Sequence, residues 1–271
     1  CLAVCDSGNA RLQVRSSSGK LLTNLDEFDA PRKFTEPYAA AASPSNRLYV
    51  IDGKSRTLGW FVTNFSLDGS LEFKFGGFVG DKGKRTPGHV LQPAAVAVSA
   101  IDERVVVLDH HSNKVKVFAA DGSFLLKFGK RGSGTGEFSL PMGVAVDSAN
   151  NIYVTDSSMH RVQVFSAAGQ PLHSFGSRGA MDGQFQRPVG VHCMDADGRV
   201  AVVVCDYGNN RLQLFDGKGR HLISFGLRGK REGEFFGPFG LTGAGSMIAV
   251  SDEKNHRIQV FDVDARRLLL S

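Results

Sequence analysis

The sequence predicts an all-β protein, a six-bladed propeller, on three observations. A ten-residue phrase opening on aspartate recurs along the chain, a glycine-rich phrase recurs between its later copies, and the residues around them fall into short β-prone runs bounded by Gly, Asn, Asp and Pro.

The first phrase is clearest as DEKNHRIQVF from Asp252. It returns as DSGNARLQV from Asp6, DHHSNKVKVF from Asp109, DSSMHRVQVF from Asp156 and DYGNNRLQLF from Asp206, with a degenerate copy, DGKSRTLGWF, from Asp52. The period between these aspartates is roughly fifty residues, which signals stacked or radially arranged units. The best-formed unit resolves into MGVAV, IYVT, RVQVF and LHSF between Met142 and Phe175. Four antiparallel strands per unit and six units make a propeller whose blades are small twisted sheets.

The predicted blades span residues 1–33, 34–77, 90–128, 140–176, 187–226 and 237–271 of one domain. In the second, LGWFV supplies the third strand; in the sixth, RRLLL supplies the fourth. The first blade lacks its innermost strand, because Cys1 already opens the second, and the missing strand is expected upstream. No segment shows a helical period.

The second phrase links the later blades: FGKRGSGTGEF (128–138), FGSRGAMDGQF (175–185) and FGLRGKREGEF (225–235). Its glycines allow tight turning, and the closing Phe138, Phe185 and Phe235 are expected to plug between blades. The linker after the second blade is longer, and long loops on rigid scaffolds concentrate function.

Composition is globular, with 42% hydrophobic and 22% charged residues, so a buried core is within reach. No apolar run approaches a membrane span. The net charge of +5 permits a polyanionic partner without demanding one. Of the four cysteines, Cys5 and Cys205 occupy the same place in different repeats, which argues against a disulfide framework and for a reducing, cytoplasmic setting.

The combination of NHRIQVF at 255–261, the FGxRGxxxGEF linkers and the PxGVAV strand resembles the NHL repeat, and the likeness runs through the chain with its weakest point in the second blade. Such repeats form six-bladed propellers, and this array is similar to the C-terminal domain of tripartite-motif (TRIM-NHL) ubiquitin ligases. The resemblance implies a recognition role, toward single-stranded or looped RNA or toward protein partners. It implies no ligase chemistry here, since the sequence holds no RING, B-box or coiled coil.

Residues repeated in every blade, such as the turn aspartates and Arg11, Lys114, Arg161, Arg211 and Arg257 five positions later, are expected to brace the fold. Blade-specific departures are the better binding candidates. The basic ones are Lys82, Lys84 and Arg85 in the long linker, Lys130 and Arg131, and Lys230 and Arg231; the repeated Arg178 and Arg228 share that loop end, called the top face. The aromatic and imidazole candidates are Tyr38, Tyr207, Phe239, His110 and His111, since unpaired bases stack on such rings. RNA binding on the top face is the first expectation, protein binding the alternative.

Catalysis is not expected. Only His192 lies in an innermost strand, whereas a catalytic zinc needs three converging ligands, and no nucleophile motif or phosphate loop occurs. No metal and no cofactor is expected, and the propeller is expected to be monomeric.

Overall fold

The computed structural model describes residues 2–16, 19–24, 36–52, 61–66, 71–76 and 88–270. The chain divides into two compact units, Cys1–Lys127 and Phe128–Ser271.

In the first unit, sheet one holds β1 (Leu2–Asp6), β2 (Arg11–Arg15) and β3 (Leu21–Asn24). Sheet two holds β4 (Pro37–Ala42), β5 (Arg47–Asp52), β6 (Phe61–Ser66) and β7 (Leu71–Phe75). Sheet three holds β8 (Pro93–Val98), β9 (Val105–Asp109), β10 (Lys114–Phe118) and β11 (Phe124–Phe128).

The second unit opens on a two-stranded parallel clip within a linker, β12 (Lys130–Arg131) with β13 (Glu137–Phe138). Sheet four follows with β14 (Pro141–Val146), β15 (Ile152–Asp156), β16 (Arg161–Phe165) and β17 (Pro171–Phe175). Sheet five holds β18 (Pro188–Ala196), β19 (Arg199–Asp206), β20 (Arg211–Asp216) and β21 (His221–Phe225). Sheet six holds β22 (Pro238–Ala244), β23 (Met247–Asp252) and β24 (Arg257–Asp262), and a helix, α1 (Ala265–Leu270), ends the chain.

Every strand of these six sheets pairs antiparallel with its neighbour in sequence, so each sheet is a meander built by local turns. Successive side chains on a strand face opposite ways, and a strand covered on both faces needs no polar alternation. Val105–Asp109 and Ile152–Asp156 accordingly open on unbroken apolar runs, VVVL and IYV, and are buried throughout, the closing aspartates included. Within each unit the cores lie between successive sheets. Val162, Val164 and Phe185 pack with Val202, Val204 and Phe215, while Leu212, Leu214 and Phe235 pack with Ile248 and Val250. Phe138, Phe185 and Phe235 are each fully buried, and the latter two fill the seams between sheets four and five and between five and six, as their sequence positions predict.

Two strand assignments need correction. The third strand of sheet two is Phe61–Ser66, not LGWFV, and Asp52 pairs with Phe61 nine residues on, whereas Asp156 pairs with Arg161 after five. Part of the wide Asp52-to-Asp109 spacing therefore lies between these two strands.

The second correction concerns RRLLL, which is helical. Sheets one, three, four and five turn into their fourth-position strand through a glycine at positive φ: Gly19 at 82°, Gly122 at 81°, Gly169 at 77° and Gly219 at 84°. The matching place after β24 is Ala265, and a left-handed alanine costs roughly 1–2 kcal/mol. The chain instead starts a helix there, with the Arg267 amide donating to Asp264 Oδ1 at 3.1 Å. Val263, Ala265 and Leu269 bury themselves against the core of sheet five, and Arg199 Nη1 donates to the Leu269 carbonyl at 2.9 Å.

Sheet one has three strands among the described residues, and by its Asp6–Arg11 pairing β1 corresponds to the second strand of the other sheets, as expected.

Candidate nucleic-acid or protein interface

The loop end of each sheet is organised by the aspartate that closes its second strand. In sheet five, Asp206 Oδ2 accepts from Asn209 Nδ2 at 2.8 Å, Arg211 Nε at 2.9 Å and Gln213 Nε2 at 3.1 Å, while Oδ1 accepts from the Gln186 amide at 2.7 Å. Asp252 repeats the arrangement with Asn255 at 2.8 Å, Arg257 at 2.9 Å, Gln259 at 3.3 Å and the Phe236 amide at 2.7 Å. A tight 3-10 turn makes this possible, because its left-handed closing residue, Asn210 or His256, returns the chain so that side chains three and five positions on meet the carboxylate. The expected bracing by Arg11, Arg211 and Arg257 is thus direct, and Arg161 stands 3.9 Å from Asp156.

The same strand also holds the linker. Arg211 Nη2 donates to the carbonyls of Met181 at 2.7 Å and Gln184 at 3.0 Å, and Gln213 joins the Gln184 carbonyl at 2.6 Å to the Gly183 amide at 2.9 Å. Arg257 and Gln259 hold the next linker alike, through the carbonyls of Lys230, Arg231 and Glu234 and the Gly233 amide. Within each linker an arginine bridges its phenylalanine in parallel fashion: Arg131 to Phe138, Arg178 to Phe185 and Arg228 to Phe235. These linkers are built on main-chain contacts, which leaves Arg131, Arg178, Arg228, Lys230 and Arg231 exposed.

In sheet three the glutamine is replaced by Lys116. Its buried Nζ donates to the His89 carbonyl and to Asp109 Oδ2, the carboxylate that also receives the Leu91 and Gln92 amides. Burial opposes ionisation, but Lys116 and the two amides hold Asp109 below the usual carboxylate range. Burial likewise lowers Lys116 below an ordinary lysine, with Asp109 resisting. The lysine that meets the turn carboxylate in sheet three is Lys116, seven residues after the aspartate, a contact that the five-residue spacing does not predict.

Tyr207, Arg228 and Phe239 come together on sheets five and six, joined by three residues absent from the sequence expectations. Lys254 Nζ lies 5.3 Å from the centre of the Tyr207 ring and 4.8 Å from that of Phe236. Arg228 caps Phe236 at 4.8 Å, Arg187 caps Tyr207 at 5.7 Å, and Phe239 meets Tyr207 edge-on at 6.2 Å. Cations within about 6 Å of a ring are attracted by its quadrupole. Phe236 was legible as a departure, since EFF stands where the other linkers have EFS and QFQ.

Lys130 pairs with Glu137 at 3.1 Å. Tyr38, on β4, is 40% exposed, and His111 is exposed beside a half-buried His110 whose amide donates to the Gln92 carbonyl at 3.0 Å. Lys82, Lys84 and Arg85 lie outside the described residues.

Among the described residues no three His, Cys, Asp or Glu side chains gather as metal ligands. Burial lowers His192 to about 4. Cys5, Cys193 and Cys205 are free thiols, and burial, then Asp52, pushes Cys5 up to about 12. Ser224, His221 and Asp182 do meet, but the Ser224 hydroxyl donates to Asp182 Oδ1 at 2.7 Å, so His221 Nε2, 2.8 Å away, must supply the proton of their bond. That polarity is the reverse of a nucleophile activated by a base. Among the described residues no helix is long and apolar enough to cross a membrane.

Comparison with known proteins bears on the fold. The family model DUF5128, described as a 6-bladed β-propeller, matches residues 86–175. No curated protein matches the chain. Among solved structures, a protein of unknown function from Bacteroides thetaiotaomicron is similar at TM-score 0.69 and 15% identity, covering 96% of this chain and 66% of that one. A nidogen/laminin complex contains a chain similar at TM-score 0.64 and 14% identity, covering 96% and 88%. Virginiamycin B lyase from Staphylococcus aureus is similar at TM-score 0.61 and 12% identity, covering 93% and 73%. These likenesses, with the repeated four-stranded meanders, establish the fold class: the chain is an all-β propeller.

Proposed function

We propose that this chain is a non-catalytic recognition propeller of the NHL type, and that its loop end on sheets four to six binds single-stranded or looped RNA. The observation that carries this reading is the cluster in which Arg187, Lys254 and Arg228 surround the rings of Tyr207 and Phe236, next to the outward side chains of Lys230 and Arg231. Cations serve phosphates and rings serve unstacked bases, and the clamped 225–235 linker carries Arg228 to the rings. The likeness to TRIM-NHL sequences supports a place beside ubiquitin-ligase domains in a longer protein, and the free thiols accord with a cytoplasmic setting.

The test is binding of unstructured oligoribonucleotides across a salt series. Replacing Arg228, Lys230 and Arg231 together by alanine should weaken binding and flatten the slope of log K against log salt by about 0.7 for each phosphate no longer neutralised. Binding that is absent, or indifferent to salt and to this triple substitution, overturns the RNA reading.

A protein partner is the second reading, favoured by Met181 and Leu227, which stand 73% and 61% exposed in the same linkers. Apolar side chains presented beside arginines suit a protein interface. Partner binding that disappears on Met181→Ser with Leu227→Ser, and that salt affects little, would select this reading.

A further inference from the structure

We propose that Lys254 guards the ring pair of Tyr207 and Phe236, so that the seam between sheets five and six admits a nucleobase only when the base brings a phosphate to take the ammonium away. This deepens the RNA reading and rests on it for the source of the nucleotide. Lys254 Nζ reaches both rings, at 4.8 Å from the centre of Phe236 and 5.3 Å from that of Tyr207. Its backbone is fixed, since the Lys254 amide donates to the Phe236 carbonyl at 3.0 Å. Gly237 leaves room for the ring and the lysine stem: a methyl added there would lie 3.1 Å from the Tyr207 ring and 3.6 Å from Lys254 Cδ. Among the described residues the ammonium has no carboxylate or carbonyl partner, so the rings are what hold it.

The fold does not ask for this arrangement. One seam earlier, between sheets four and five, Ser157 stands at the place of Tyr207, Gln186 at that of Phe236 and Gly208 at that of Lys254. The same main-chain bond is made there, from the Gly208 amide to the Gln186 carbonyl at 2.7 Å, but turn and linker touch directly, and a side chain at Gly208 would collide with Gln186. Arg187 also departs from the frame. It holds a left-handed φ of 58° where the next linker has Gly237 at 79°, and the side chain kept in that unfavourable conformation is the one that caps Tyr207. Departures that the frame neither needs nor favours point to a ligand.

An ammonium held against a ring occupies space that a stacking base would need. A neutral aromatic ligand must displace it and offers nothing in return. A phosphate oxygen accepts a charge-assisted hydrogen bond from it, which is stronger than an exposed contact with a ring. Arg228 and Arg187 each cap one ring, whereas Lys254 is shared by both, so its departure uncovers the pair at once. The site therefore selects nucleotides over nucleosides, and Lys254 is the residue that discriminates.

The experiment titrates the full 271-residue chain and its Lys254→Ala variant with adenosine, adenosine monophosphate and a short unstructured oligoribonucleotide. The parent should bind the monophosphate at least about tenfold more tightly than adenosine. In the variant adenosine should gain at least about tenfold and the advantage of the phosphate should collapse, and adding Tyr207→Ala should abolish the gain. In the parent's proton spectrum the Lys254 side-chain methylenes should be shifted upfield by the rings and should lose that shift when the monophosphate binds. Should the variant fold poorly, these signals still decide. Adenosine affinity unchanged by Lys254→Ala overturns the proposal, as do lysine signals that keep their ring shift with nucleotide bound, or no binding of the monophosphate at about 10 mM. The oligoribonucleotide separates the two readings. If it binds no more tightly than the monophosphate while adenosine gains in the variant, the guard stands and the ligand is a free nucleotide, which ends the RNA reading. If it binds tightly while adenosine gains nothing, the RNA reading stands and the guard falls.

Discussion

Lys116 and Asp109 form a buried ion pair at the loop end of sheet three, where Gln163, Gln213 and Gln259 stand in the following sheets. The lysine donates to the His89 carbonyl as Gln163 does to the Glu137 carbonyl, so one cation fulfils a neutral amide's structural duty and also neutralises the turn carboxylate. Lys116→Met leaves that carboxylate buried without its cation and should cost about 3–5 kcal/mol in denaturant unfolding. Lys116→Gln restores the donor to both acceptors and should cost markedly less. Equal losses for the two variants would mean the pair acts through packing alone.

Gln213→Leu tests the linker clamp. Gln213 is fully buried, and its loss strands the Gly183 amide, worth about 1–3 kcal/mol when unsatisfied, and leaves the Gln184 carbonyl to Arg211 alone. Faster amide exchange is expected across residues 179–185, with β19 left protected; uniform acceleration would point to a global rather than local role.

Gly219→Ala should destabilise sheet five by more than about 2 kcal/mol, combining the left-handed cost with overpacking. At φ of 84° its added methyl would lie 2.6 Å from the Phe175 ring. A thermal midpoint unchanged from the parent would refute the need for glycine at this turn and with it the origin given for α1.

Asp206 and Asp252 should titrate on opposite sides of the ordinary aspartate value, although their partners match. Burial raises Asp206 in spite of Asn209, Gln186 and Arg211. At Asp252 burial is outweighed by Asn255, the Phe236 amide and Arg257, and the carboxyl falls. A lowered folded value contributes stability that is complete above the unfolded value of about 3.9 and disappears as pH falls through the folded one. A raised value has the opposite slope, so Asp206 resists folding less once protonated. Carbon-13 titration of the two carboxyls reads this directly, and coincident curves would refute it.

Much of the fold is legible in the sequence because each sheet is a local meander whose punctuation, Asp, Asn, Gly and Pro, has a stereochemical reason at each place. The buried Phe185 and Phe235 and the Asp–Arg pairs follow from their repetition. The helix at Ala265 is hidden because five apolar and basic residues suit either conformation, and the deciding signal is a single absent glycine. The place of β6 is hidden because the copy at Asp52 looks like a turn of standard length. At the loop end, Arg228, Tyr207 and Phe239 are legible singly, yet their meeting with Lys254, Phe236 and Arg187 depends on how sheets five and six pack, which no spacing along one repeat reveals.

The neighbouring strands grip the linkers mainly by their carbonyls and amides. Residues 133–135, 180–181 and 230–232, which read SGT, AM and KRE, can therefore diverge at small cost to folding, whereas Asp182 is held by Ser224 and Arg211. Such an architecture lets natural variation retune ligand preference at the tips while the frame stays constant, and it offers a scaffold on which randomised tip libraries should remain foldable.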